Sequence, residues 1–151
     1  MISFQNIHGI YDIASSFRDA IQSAVQAGEL REMASFPHGC CTYASDLLQR
    51  YLLEQGIVTW YLSGQYDYGW KAESHAWLET EDGMVIDIPG DQYRYKNLKF
   101  TDPVYVGVRN DGFHDKFILD EPVAYSVSDD QFGQNTEFNR RYEAVLRHIK
   151  L

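Results

Sequence analysis

The chain has 151 residues, 44% hydrophobic and 23% charged, proportions of a globular protein long enough for one domain and too short for two ordinary ones. Its net charge is −9 and its 13 Lys and Arg are scattered, whereas a nucleic-acid backbone or an anionic membrane surface wants clustered cations. Neither is therefore expected as a partner.

In chain order, residues 12–27 read as a first helix. Ile13, Phe17, Ile21 and Val25 recur at four-residue spacing, Asp12 stands where an N-cap would, and Gly28 follows the last turn. Residues 40–55 read as a second helix, its apolar face made of Tyr43, Ala44, Leu47, Leu48, Tyr51 and Leu52, with Gly56 at the stop. From Ile57 to Leu62 the pattern becomes β-rich, and Gly64 to Gly69 reads as a Tyr- and Gly-containing loop. Two strands follow, about 73–80 and 84–88, joined by Glu81-Asp82-Gly83, a strong hairpin signal. Another strand is expected over 104–108 and one more around Ala124 to Val127 within an ambiguous stretch. The segment 135–150 predicts a final amphipathic helix carrying Phe138, Tyr142, Val145, Leu146 and Ile149. Helices, a mostly antiparallel sheet and a closing helix make an α+β layout in a single domain spanning 1–151.

The two cysteines are adjacent, Cys40 and Cys41, and adjacent cysteines cannot staple a domain of this length. That usage points to a reducing compartment. Met1 to Asn6 shows no basic region followed by an apolar run, and no segment approaches the ~20 apolar residues of a bilayer span. The expected location is cytoplasmic, with export by a machine that reads no cleavable signal as the other route.

Both thiols sit where a helix begins, and free backbone N–H groups there lower a thiol pKa. Successive helical side chains are about 100° apart, so one thiol is expected in the fold and its neighbour in a groove. Downstream lie Ser74-His75-Ala76-Trp77-Leu78-Glu79 and then Val85-Ile86-Asp87-Ile88. A thiol, an imidazole to take its proton and a carboxylate to fix the imidazole tautomer are the parts of a nucleophilic site. If Glu81-Asp82-Gly83 forms a three-residue loop with Gly83 left-handed, Thr80 faces Met84 and His75 faces Pro89. Asp87 and Asp91 then lie diagonally from His75 on one sheet face, both within side-chain reach. Residue spacing alone leaves the choice between them open.

Cys40-Cys41-Thr42-Tyr43-Ala44-Ser45 resembles the cysteine-helix signature of the papain-like and transglutaminase-like superfamily, in which an aromatic follows the nucleophile by three residues and a small residue comes next. His75-Ala76-Trp77 resembles its His-Ala-Trp strand, and Asp87-Ile88-Pro89 the end of its next strand. The resemblance runs from residue 36 to 93. It implies Cys40 as nucleophile, with Cys41 the alternative, His75 as base and acid, and Asp87 as orienter, with Asp91 the alternative. It implies acyl transfer at an amide carbonyl of a protein or peptide, without a cofactor. The position of the papain-type oxyanion glutamine is Ala34, and the Thr after the strand aspartate is replaced by Pro89 and Gly90. Gln92 and Trp77 are the substitute candidates for oxyanion or substrate contacts, beside the Cys40 backbone N–H.

Other readings compete with these. A lone cysteine on a helix is commonly core, and Cys41 is expected there. His38 is expected to shape the loop before the helix, and His8, His114 and His148, which have no partner pattern, to lie at the surface. Cys40, Cys41, His38 and His75 carry zinc-type donor atoms, but adjacent cysteines lack the usual C-x₂₋₄-C spacing, so no metal is expected. Trp60, Tyr61, Tyr66, Tyr68 and Trp70 are expected in core and rim, and the Gly64–Gly69 loop as a lid or substrate rim. A non-catalytic interaction domain with the same fold is the alternative to an enzyme, and the absent glutamine favours it.

Overall fold

Ile10, Ala14, Phe17, Ala20, Ile21 and Ala24 form the buried face of the first helix, α1 (Ile7–Gln26). The structure, a computed structural model, describes residues 7–36, 40–67, 72–88, 104–109, 114–120, 123–124 and 136–150. α1 begins before the expected Asp12 cap because Ile10 carries the apolar stripe past Gly9, and its burial outweighs the ~1 kcal/mol that a helical glycine costs. Asp12 is an exposed residue inside the helix. Gly28 ends α1 as the sequence predicts, at φ +77°, where glycine pays no Cβ penalty.

The second helix, α2 (Cys41–Glu54), buries Ala44, Leu47, Leu48 and Leu52 against α1 and the sheet. The last helix, α3 (Thr136–Leu146), lays Tyr142 and Val145 on the same core. Phe17 stacks on Tyr51 with centroids 4.9 Å apart, and the Arg50 guanidinium lies 5.0 Å above the Tyr142 ring. Among the described residues, no helix is long and apolar enough to cross a membrane.

The sheet contains β1 (Thr59–Asp67), β2 (Ala72–Thr80), β3 (Met84–Asp87), β4 (Tyr105–Val108), β5 (Ile118–Leu119) and β6 (Val123–Ala124). Its order is β4-β3-β2-β1-β5, with β6 also on β1, and every pair is antiparallel. The protein is thus α+β, as expected. The β2–β3 hairpin pairs Leu78 with Ile86 and Glu79 with Val85, which continues to Thr80 opposite Met84. Gly83 is left-handed at φ +87°, so the three-residue loop and its register agree with the sequence reading.

The expected loop at Gly64 is a correction. β1 runs through Gly64 to Asp67, paired with β2 on one side and β5 on the other. A Cβ at Gly64 would come within 2.5 Å of the Ile118 carbonyl oxygen, so this glycine permits close strand approach rather than a turn. β5 and a 3-10 turn at His114–Lys116 were not legible in the sequence, and β6 begins one residue before the strand expected near Ala124.

Alternation along the strands gives the sheet two different faces. Tyr61, Leu78, Met84 and Ile86 meet the helices in the larger core, which also contains Cys40. Leu62, Trp77, Val85 and Phe117 make a smaller core on the opposite face. β4 and β5 are at opposite edges of the path, and Phe117, just before β5, packs on this second face.

Candidate active site

His75 and Trp77 are two residues apart on β2, and Asp87 is two beyond Val85 on β3, so the period of a strand sends all three to the second face. His75 Nε2 stands 2.7 Å from Asp87 Oδ2 with both side chains wholly buried. This is one of the two diagonal contacts, to Asp87 or Asp91, that the hairpin register allows. Asp87 accepts, so the ring donates Nε2–H and Nδ1 is its basic nitrogen.

A second histidine completes the cluster. His114 Nε2 lies 2.6 Å from the same Asp87 oxygen, with its side chain also fully buried. The expectation of a surface His114 is therefore corrected. The residue rides on the segment that crosses from β4 to β5, and sheet order, which no local pattern encodes, brings it over Asp87. His8 is exposed as expected, whereas His148 is half-buried and paired with Glu29.

Aromatic rings hold the imidazoles in place. Trp77 meets His114 edge-on at 4.8 Å and lies 5.6 Å from His75, and Tyr105 stacks on His114 at 5.4 Å. Phe117 closes the other side at 5.9 Å from His75. Trp77, a sequence candidate for substrate contact, is wholly buried, and its indole N–H donates to Glu79 Oε2 at 3.3 Å. Its observed place is as packing between the imidazoles and the Glu79–Arg109 pair, in which Arg109 grips both carboxylate oxygens at 2.6 and 2.7 Å.

Cys40 is the N-cap residue of α2 and is 1% exposed in the helix-side core. α2 docks beside His75: Ser45 Oγ donates to the Ala76 carbonyl at 3.3 Å. The fold therefore brings the thiol-bearing end of α2 to the β2 segment next to His75, but from the opposite sheet face. It unites His75 with Asp87, while Cys40 belongs to the other core. Cys41 opens α2. The Cys41 side chain, His38, Tyr68, Trp70, Asp91 and Gln92 lie outside what the structure describes.

Burial pushes the Asp87 carboxyl up, but the His75 charge and the hydrogen bonds from His114 and His75 outweigh it and hold it down at about 2. Burial pushes Asp46 of α2 up to about 6. The two have opposite consequences for stability. From about pH 2 to 3.8 the unfolded chain holds the Asp87 proton more tightly, so stability rises with pH. From 3.8 to about 6 native Asp46 holds its proton more tightly, so stability falls with pH. These two groups together predict a stability maximum near pH 4, with Asp46→Asn removing the decline above it. Urea midpoints measured from pH 2.5 to 7 check this, and an Asp46→Asn variant with the same decline would refute the assignment.

The donor atoms of His75, Asp87 and His114 all lie within 4.8 Å of one another. Two ligands of a tetrahedral zinc, each about 2.0–2.1 Å from the metal, stand roughly 3.3 Å apart. The 2.7 and 2.6 Å separations here are hydrogen-bond lengths. The three side chains are spaced as a hydrogen-bonded cluster, and a metal bound by them would have to displace both Nε2 protons and spread the three side chains.

The fold and the site together define an α+β protein with a buried His75–Asp87–His114 cluster on the sheet face opposite the helices. No family model, curated protein or solved structure matches the chain.

Proposed function

We propose that the protein is a thiol-dependent acyl-transfer enzyme acting on an amide carbonyl of a protein or peptide, working in the cytoplasm. The observation that carries this reading is the buried His75–Asp87 hydrogen bond at 2.7 Å, because a carboxylate on Nε2 leaves Nδ1 as the nitrogen that accepts a proton. The reaction requires the Cys40 thiol, buried in the helix-side core, to move within reach of His75, which then takes its proton; Cys41 is the rival nucleophile. The thiolate attacks the carbonyl carbon, and the tetrahedral oxyanion collapses to a thioester as the amine leaves with the proton from His75. Water or a second amine then attacks the thioester, His75 accepts its proton, and the thiol is restored. Hydrolysis, deamidation and transfer share this intermediate and differ in what attacks it. The backbone N–H groups that open α2 are suited to the oxyanion.

A second reading has its own observation. Cys40 is 1% exposed, and the three relay residues are buried. On the relay's face, a cavity of about 410 Å³ is lined by Trp60, Leu62, Glu79 and Arg109 among others. A non-catalytic domain would use such a surface to bind a protein.

Alkylation separates the two. A thiol with an ordinary pKa near 8.5 is well under ~1% thiolate at pH 6. With iodoacetamide at that pH, Cys40 should react well ahead of Cys41 by intact mass and peptide mapping, and His75→Ala should remove the advantage. Prior modification of Cys41 would move the nucleophile by one residue. Equal sluggishness of both would favour the binding domain. An amide-derived electrophile should likewise be trapped on Cys40 and lost in Cys40→Ser.

A further inference from the structure

His114 has no task in the acyl-transfer scheme, yet it is bound to the orienting carboxylate as closely as the base is. We infer that His114 is a positioning residue: by sharing Asp87 Oδ2 with His75 it holds the carboxylate in place and sets the proton affinity of His75. The inference rests on the proposed role of His75 as base.

Geometry carries the first part. Asp87 Oδ2 takes hydrogen bonds from both rings at 2.7 and 2.6 Å. Asp87 Oδ1 is buried, with no hydrogen-bond partner among the described residues. Among the described residues the carboxylate is thus held through one oxygen, and one of its two hydrogen bonds comes from His114. The His114 ring is itself fixed, between Tyr105 and the edge of Trp77.

Charge carries the second part. Both Nε2–H groups point at one anion, so a single added proton, on either ring, neutralises the cluster. A second would place two imidazolium rings with centroids 6.2 Å apart in a dry interior, where like charges repel strongly. The two histidines therefore take up one proton as a unit. His114 competes with His75 for it, and its N–H also draws charge from the oxygen that His75 uses. Both effects make His75 a weaker base than it would be against an unshared aspartate, which brings it nearer the working pH a general base needs. Other titratable groups on the packed elements are Tyr105 of β4, Tyr66 of β1, which packs on Phe117, and Glu79 of β2, held by Arg109. Asp115 and Lys116 follow His114 in sequence and are exposed.

The test compares the full chain with His114→Phe, which keeps a ring but neither donates nor titrates, and with His114→Gln, which keeps an N–H donor and does not titrate. The readouts are the ring ¹⁵N titration of His75 and the pH profile of iodoacetamide labelling. His114→Phe should raise the proton affinity of His75 about tenfold, one pH unit, and the labelling profile should follow. His114→Gln should give a smaller rise, about threefold, because the donor is restored. A purely structural His114 would lower stability and leave the His75 titration where it was. That outcome in a folded His114→Phe protein overturns the inference, as do equal shifts in the two variants. If His114→Phe does not fold, an unshifted His75 in His114→Gln overturns it alone. Thiols that are unreactive in the unaltered protein would instead refute the acyl-transfer reading, while the ¹⁵N titration would still decide the role of His114.

Discussion

Asp87→Ala should destabilise the protein by about 3–5 kcal/mol, the usual cost of removing one partner from a buried charged pair. The substitution leaves two buried Nε2–H donors facing a void. Each has given up water, and in the native protein each recovers that loss on the same oxygen. Asp87→Asn should cost less, since its carbonyl oxygen still accepts both hydrogen bonds while the charge is lost. Urea unfolding of both variants gives the stability part. The functional part is read where the variants remain folded: labelling of Cys40 at pH 6 should fall to the rate of an ordinary thiol, because His75 loses its orientation. Asp91→Ala is the companion control and is expected to leave labelling unchanged. Suppression by Asp91→Ala alone would assign the orienting role to Asp91. A stable Asp87→Ala protein with undiminished labelling would remove Asp87 from the site altogether.

Trp77→Ala should be of comparable size, about 3–5 kcal/mol, as for other large-to-small changes of buried aromatics. Trp77 is wholly buried and touches His75, His114 and Phe117. Removing it opens a cavity against both imidazoles and leaves Glu79 without the indole hydrogen bond. Trp77→Phe fills most of that volume and should cost roughly half as much. Denaturant midpoints provide the measurement. A Trp77→Ala midpoint within experimental error of the unaltered protein would contradict the packing described for the second face.

Periodicity in the sequence determined much of this architecture. The stop glycines Gly28 and Gly56, the hairpin at Gly83 and the facing of Thr80 with Met84 all follow from contacts a few residues apart. Local geometry is enough for such features, because turn chemistry and side-chain alternation act within one or two elements. That an aspartate at the end of the next strand, Asp87 or Asp91, could reach His75 was legible for the same reason, because a three-residue hairpin loop sets which residues meet across two adjacent strands. The structure shows Asp87 at 2.7 Å. Errors arose where residues far apart in the chain decide the outcome. Gly64 reads as a loop until β5 lies against it, and Asp12 reads as a cap until the packing of Ile10 extends α1.

His114 and Cys40 mark the boundary most sharply. His114 is 27 residues from Asp87, and only a crossing from β4 at one edge to β5 at the other brings it there. Cys40 could be placed at a helix start from its neighbours, but its helix-side core, opposite the relay, follows from how α2 docks on the sheet. The sequence by itself thus determined the helices, the β2–β3 hairpin with its register and the α+β class, and narrowed the partner of His75 to Asp87 or Asp91, because each is set by local spacing. Only the tertiary structure decided which sheet face holds the relay, that a second histidine shares the carboxylate, and which core takes the thiol. Those depend on strand order and layer packing, which bring together residues that no short-range pattern relates.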